Sequence, residues 1–325
     1  MGCVMNKLFQ CCKYRDMARI LLFGSQGMLG RTLCHRLSGF DIVPASHSSV
    51  DIVNSDAVDA LVGKVKPEVV INCAAMTQVD LCESEQDKAF AVNALGAGNI
   101  ASASNRCGAK LYHISTDYVF DGVADKSYSE FDEPHGCQTV YGKSKLAGEC
   151  LVRSLAPNHV IARVSWLYGA GGPSFVHTML KLSERGLSEL KVVSDQVGNP
   201  TSCDAVAKGL QQLLQHSSYS GTIHLTCEGQ ATWYEFACEI FAQAGIRQKV
   251  IPCTTEEYPR PAPRPRNSRL DKSVLRLLGF EQMQDWRMAL HDFITQEWPQ
   301  SDNLCSKHIN VTTVQNGFVH QKIVC

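Results

Sequence analysis

An α/β fold built on a doubly wound parallel sheet is what the sequence predicts, on three observations. Short apolar runs alternate with helical patterns, one long helical pattern joins two of those runs, and a glycine-spaced loop follows the first run. The first strand is "ARILLFG", and the glycine loop "GSQGMLG" opens the helix after it. "DIVPAS" and "EVVINCAA" follow as strands, then the crossover helix "EQDKAFAVNALGAGNIASASNRCG", which Gly108 ends as a cap. "KLYHIST" is the next strand, "VYGKSKLAGE" opens a helix, and "HVIARVSWLYG" is a strand again. Such alternation makes right-handed βαβ units, with the sheet covered on both faces.

After Tyr168 the regularity changes. "GAGGPS" reads as a loop, helices are expected near 175–185 and 203–215, and "GTIHLTC" reads as a strand. The proline-rich "YPRPAPRPRNSRL" precedes two closing helices that end near Trp298. Residues 17–168 are therefore expected as one domain, and 169–300 as a smaller, irregular α/β unit partly interleaved with it. That second unit should wall a cleft at the carboxyl ends of the strands, where such sheets bind ligands. Residues 1–16 and 301–325 are an N-terminal extension and a C-terminal tail.

Composition excludes several classes. The 325 residues carry 31 basic and 32 acidic side chains and no basic run interleaved with aromatics, so nucleic acid is not an expected partner. Fifteen cysteines lie at irregular spacings without paired metal-ligand patterns, which suits reduced thiols. No apolar run is long enough for a transmembrane segment and no secretory signal opens the chain, so a cytoplasmic protein is expected. "MGCVMN" resembles an acylation signal, with Gly2, Cys3, Cys11 and Cys12 near Lys7, Lys13 and Arg15, but Asn6 stands where serine or threonine is preferred. Lipid-mediated membrane contact through residues 1–16 stays open beside a plain extension ahead of Met17.

The loop Gly24, Gln26, Gly27, Met28, Leu29, Gly30 and Arg31 sits between a strand and a helix, the place of a dinucleotide site. One glycine permits the turn, one admits the pyrophosphate and one lets helix and strand pack, while the helix N-terminus favours the anion. At the end of the second strand an acid would hold the ribose of NAD, but Ser46, His47 and Ser48 stand there. With Arg31 beside the loop, NADPH is favoured and NADH stays an alternative.

Tyr141 and Lys145 are four residues apart, so they share one helix face. An ammonium beside a phenol favours its ionised form, and a phenol that releases a proton is what carbonyl reduction needs. Thr116 or Ser115, at the end of the preceding strand, can hydrogen-bond the same oxygen.

The chain resembles the extended short-chain dehydrogenases/reductases, and among them the dTDP-4-dehydrorhamnose reductase family. The motifs are "GSQGMLG", "NCAAMTQVD", "STDYVFDG", "VYGKSKLAGE", "RVSWLYG", "SDQVGNPTS" and "RPRNSRL", between Met17 and Trp298. The resemblance implies a Rossmann-type sheet with a substrate-binding second unit, and a catalytic triad of Thr116, Tyr141 and Lys145, with Lys145 also holding the nicotinamide ribose. It implies Ala74 and Ala75 along the cofactor. Thr77, Val79, Asp117, Tyr118 and Trp166 are implied at the sugar. Asn199, Pro200 and Thr201 would form part of the cleft wall, and Arg264, Asn267 and Ser268 the nucleotide end. The implied substrate is a nucleotide-linked 4-keto-6-deoxy sugar, reduced with NAD(P)H as in the conversion of dTDP-4-dehydrorhamnose to dTDP-rhamnose. A homodimer stays open. Some members bridge a dimer through a cation held by glutamates, one of them where this chain has Thr32, so no metal is expected.

Two rival readings are weaker. Nucleotide-sugar dehydratases carry a glutamate after "STD" where Tyr118 stands here. The chain also resembles the NADP-binding, non-catalytic β subunit of methionine adenosyltransferase, which keeps a similar tyrosine and lysine pair; Trp166 and "SDQVGNPTS" favour the reductase.

Overall fold

The computed structural model describes residues 18–215 and 218–298. The expectations for residues 1–16 and 301–325, the acylation signal included, lie outside the described residues. Six strands form one parallel sheet in the order β2 (Asp41–Ala45), β1 (Arg19–Phe23), β3 (Val69–Asn72), β4 (Lys110–Thr116), β5 (His159–Val164) and a last strand, Gly221–His224.

Successive strand residues point to opposite faces, and two separate cores result. Ile20, Leu22, Val69 and Ile71 pack with Leu29 and Leu33 of helix α1 (Met28–Arg36) and with Leu210 and Trp286 from the second unit. Leu21, Phe23 and Val70 pack with Val58 and Val62 of helix α2 (Ser55–Val65), Ile100 of Ala97–Arg106 and Val152 of Val140–Leu155. Burial on both faces explains why β1 and β3 read as unbroken apolar runs.

The chain leaves β1 toward β2 on one side, whereas β3 lies on the other. The loops after β1 and β3 therefore diverge, which opens a crevice at the carboxyl ends of the strands. The expected crossover helix is not uniform. Helical turns at Gln86–Phe90 and Ala97–Arg106 flank a π-helical turn at Ala91–Gly96. In that turn the Asn93 amide bonds the backbone N–H and carbonyl of Met76, at 2.8 and 3.1 Å, and the Ser144 hydroxyl at 3.0 Å. One side chain thus ties the loop after β3 to the helix Val140–Leu155.

The strand read in "GTIHLTC" does not stay in the second unit: it returns to the main sheet, beside β5. The segments after residue 168 include helices Phe175–Ser183, Cys203–Gln215, Trp233–Gln243 and Trp286–Glu297, with short paired strands, Leu190–Val193 beside Val250–Cys253 and Val197–Gly198 beside Ala231–Thr232. The proline-rich stretch runs back past the end of β4, where Asn267 N–H donates to the Gly122 carbonyl at 2.9 Å. The ten described cysteines are free thiols, and no described helix is long and apolar enough to cross a membrane.

Candidate active site

A cleft of about 700 Å³ opens at the carboxyl ends of the strands. Gln26, Gly27, Met28, Leu29 and Gly30 line it from the glycine loop, and Ala75, Thr77 and Val79 from the segment after β3. Thr116, Asp117 and Tyr118 arrive from the end of β4, Tyr141 and Lys145 from the next helix, Trp166 from the end of β5 and Arg264 from the proline-rich stretch.

The loop fits a dinucleotide on its own geometry. Gly24 has φ +76° and its ideal Cβ would lie 2.6 Å from Ala74 N, while a Cβ on Gly30 would lie 2.2 Å from the Gly24 carbonyl oxygen. Only glycine permits this turn and this approach of helix to loop. Gly27 caps α1 with no side-chain hydrogen bond, and no acidic residue stands in the first turn. The first amides of α1 are thus left to an anion such as a pyrophosphate.

Helix Val140–Leu155 presents Tyr141 in its first turn. Thr139 caps it by accepting from Gly142 N–H at 2.9 Å, and the Glu83 carboxylate accepts from Val140 N–H at 2.9 Å. Tyr118 packs edge-on against Tyr141, with ring centroids 5.5 Å apart. Lys145 donates from Nζ to the Ile114 carbonyl at 2.7 Å. Burial pushes the Lys145 ammonium down to about 8, an effect that the Glu149 carboxylate partly offsets. Burial also pushes the Tyr141 phenol above its ordinary value, and a hydrogen bond with Thr116 offsets part of that. The sign is opposite to what the pairing alone suggests. Enclosure strips water from both groups and penalises phenolate and ammonium alike.

Thr116 Oγ1 donates to Asp117 Oδ1 at 2.9 Å. Burial raises the Asp117 carboxyl to about 6, an effect that the Thr116 hydroxyl partly offsets. Its Oδ2 is buried and has no partner among the described residues, so one acceptor remains for a ligand hydroxyl. Ser115 is committed elsewhere: its hydroxyl donates to Glu149 at 2.5 Å, which leaves Thr116 as the strand-end hydroxyl beside the phenol. Beneath the site, Arg163 donates to both Glu149 oxygens at 2.9 and 2.8 Å. Burial alone would raise Glu149, but Arg163, with help from Ser115 and Arg153, brings it down to about 2.

Several expected residues stand back from the cleft. Gly24 and Ala74 meet each other behind the loop, outside the cleft lining. Arg31 is exposed, donates from Nε to the Gln26 carbonyl at 2.8 Å and packs against Gly171. Asn199 is buried behind the wall, with Nδ2 on the Gly229 carbonyl at 2.6 Å and Oδ1 on Leu270 N–H at 2.8 Å. Both ends of its amide are spent on backbone, so it braces the wall. Thr201 likewise turns its hydroxyl to the Asn199 carbonyl at 2.9 Å, and Asn267 donates to Ala124 and Lys126 carbonyls at 2.6 and 2.7 Å. Arg264 lies beside Tyr118 and pairs with Asp80 at 3.0 Å.

Other lining residues escape a reading by motif: Gly171, Gly172, Pro173, Ser174, Phe175 and Thr178, with Trp233; Gln196 also lines the cleft, from within "SDQVGNPTS". The one signal for the first group is "GGPS" ahead of an apolar helix, where Ser174 is the N-cap. Nothing local marks Trp233, whose place depends on a partner 67 residues earlier, at position 166.

Residues 18–298 match the family model described as the RmlD substrate binding domain. The chain is 40% identical over 282 residues to the spore coat polysaccharide biosynthesis protein SpsK of Bacillus subtilis, covering 86% of this chain and 98% of that protein. A crystal structure of a dTDP-4-dehydrorhamnose reductase from Clostridium acetobutylicum is 45% identical, with TM-score 0.83, and the match covers 86% of this chain and 99% of that one. Another, from Bacillus anthracis in complex with NADP, is 40% identical with TM-score 0.84 and the same coverage. On the family model and these relatives, the chain belongs to the dTDP-4-dehydrorhamnose reductase family of extended short-chain dehydrogenases/reductases.

Proposed function

We propose that the chain reduces the 4-keto group of a dTDP-linked 4-keto-6-deoxy sugar, such as dTDP-4-dehydrorhamnose, with Tyr141 giving the proton. As a member of its family the chain is an NADP(H)-dependent oxidoreductase of nucleotide-sugar ketones, with NADH as an alternative donor. The observation that carries the finer reading is the meeting of Thr116, Asp117, Tyr141 and Lys145 in one cleft with the glycine loop.

The glycine loop would hold the reduced dinucleotide, which would supply the hydride for the new C–H bond at C4. Tyr141 Oη gives its proton to the carbonyl oxygen as the C–O double bond becomes single. A half-buried phenol with a raised pKa stays protonated at neutral pH and is loaded for that transfer. Thr116 steadies the phenol oxygen. Lys145, fixed by the Ile114 carbonyl, brings positive charge to the same face of the helix. The open Oδ2 of Asp117 accepts a sugar hydroxyl, while Thr77, Val79, Tyr118 and Trp166 bound the sugar and Arg264 meets the diphosphate side.

The deciding experiment follows NADPH and NADH oxidation against dTDP- and UDP-linked 4-keto-6-deoxy sugars. Turnover highest with a dTDP sugar is expected. Absence of turnover with every sugar, together with copurification of a methionine adenosyltransferase, would replace this reading by a regulatory one.

A further inference from the structure

Trp166 adopts φ +46°, a left-handed backbone that is uncommon for a bulky side chain and persists only where the surroundings enforce it. Its ring lies flat on Trp233, with centroids 3.5 Å apart and planes 5° from parallel. The other face is closed by Gly198. A Cβ there would lie 2.4 Å from Trp166 Cε2, 2.6 Å from Nε1 and 2.8 Å from Cζ2, distances that lengthen outward from Cε2 as they do for an atom above the ring. Trp233 covers a whole face, so Gly198 must stand over the opposite one.

The two indoles spend their N–H groups differently. Trp233 Nε1 donates to Gln196 Oε1 at 3.1 Å, Gln196 Nε2 donates to Thr255 Oγ1 at 2.9 Å, and Thr255 Oγ1 donates to Asp195 at 2.7 Å. Trp233 is also the first residue of its helix, directly after Thr232, which forms a capping box with Glu235. Trp166 Nε1 has no hydrogen-bond partner among the described residues, and its residue lines the cleft. One indole is locked by the protein; the other keeps a donor for a ligand oxygen.

We propose that Trp233 is a positioning residue for the sugar: stacked on Trp166 and held by Gln196, it keeps the Trp166 indole in the orientation that offers Nε1–H to a sugar or phosphate oxygen. The proposal rests on the reading of the cleft as a nucleotide-sugar site. Trp233 itself transfers nothing and acts through its neighbour, so it should affect how the sugar is held and not how the cofactor is held.

The test combines kinetics with tryptophan spectra. Trp233→Leu should raise KM for the dTDP ketosugar about five- to tenfold, the scale of a lost aromatic pair, with kcat and the KM for NADPH little changed. Trp233→Phe, which keeps a ring, should recover most of the loss. In a Trp166→Phe background, Trp233→Leu should add almost nothing, because the two act as one unit. Independently of turnover, in ¹⁵N-tryptophan protein the Trp166 indole N–H resonance should shift on addition of dTDP-rhamnose, and should move or broaden in Trp233→Leu before any ligand is added. Additive losses in the double variant, or a Trp166 resonance unmoved in Trp233→Leu, overturn the proposal. A parent enzyme without turnover overturns the functional reading instead, and the indole spectra still decide the role of Trp233.

Discussion

Lys145 Nζ and the Ile114 carbonyl oxygen lie 2.7 Å apart, so the helix bearing Tyr141 is tied to β4 two residues before Thr116. The contact holds the ammonium against the strand that ends in Thr116, in the cleft that Tyr141 also lines. Tyr141→Phe keeps the ring and its packing against Tyr118 but removes the proton. Folding and NADPH binding should survive while kcat falls about 10²- to 10⁴-fold. Lys145→Met should lower kcat and also weaken NADPH binding, and Thr116→Val should be the mildest of the three. Near-parental turnover in Tyr141→Phe would remove this residue from the chemistry.

The buried ammonium gives a pH prediction. With Lys145 brought down to about 8, kcat/KM should decline as pH rises through about 8, because the lysine loses its charge there. Lys145→Arg, which stays protonated, should move that limb to higher pH whatever its effect on the maximum. A limb at the same pH in both proteins would assign the titration to another group.

Glu149 and Arg163 form a buried ion pair. The Glu149 carboxyl lies near 2 in the fold against an ordinary 4.5. Its contribution to stability is therefore complete above about pH 4.5 and lost as pH falls toward 2. Glu149→Gln strands the Arg163 charge and should cost about 3–5 kcal/mol at neutral pH, while flattening the acid limb of the stability curve. Denaturant melts from pH 7 to 2 check both; parallel acid limbs in parent and variant would refute the assignment.

At the glycine loop, Gly24→Ala combines a left-handed backbone with a Cβ 2.6 Å from Ala74 N. The strain alone is worth about 1–3 kcal/mol, and the clash pushes the loop out of place. Loss of measurable NADPH binding in a folded, less stable protein is expected by calorimetry. Unchanged binding would mean that the loop does not hold the cofactor.

Cofactor choice is tested at Arg31, which is exposed and anchored through Nε to the Gln26 carbonyl. Its remaining N–H groups suit a 2′-phosphate, and Ser46, His47 and Ser48 offer no repelling acid. Arg31→Ala should raise KM for NADPH about tenfold and leave NADH unaffected, as one charge-assisted contact warrants. Equal effects on both cofactors would show that Arg31 does not read the phosphate.

The sheet was legible because β1 and β3 are buried on both faces, and their apolar runs say so without any partner being known. The glycine loop was legible for a similar reason: strand, turn and helix start are contiguous in sequence. The π-helical turn at Ala91–Gly96 was not, because a single wide turn hardly disturbs a helical pattern and its cause is Asn93 bonding Met76 and Ser144 from elsewhere. Asn199 was legible as part of the cleft wall but the direction of its amide was not, because a motif gives the residue alone and Gly229 and Leu270 decide the rest. Trp233 stayed invisible since its stack on Trp166 joins segments that share no local pattern.

The strand Gly221–His224 completes the sheet beside β5, although the chain reaches it only about sixty residues after β5 ends. On the ribosome, β5 waits roughly 3–12 s for that neighbour at about 5–20 residues per second. Throughout that interval its outer edge shows unpaired amides and carbonyls, a template for another nascent chain. A shortened chain ending near residue 168 would keep that exposed edge permanently, so the returning strand Gly221–His224 also protects the sheet against aggregation during synthesis.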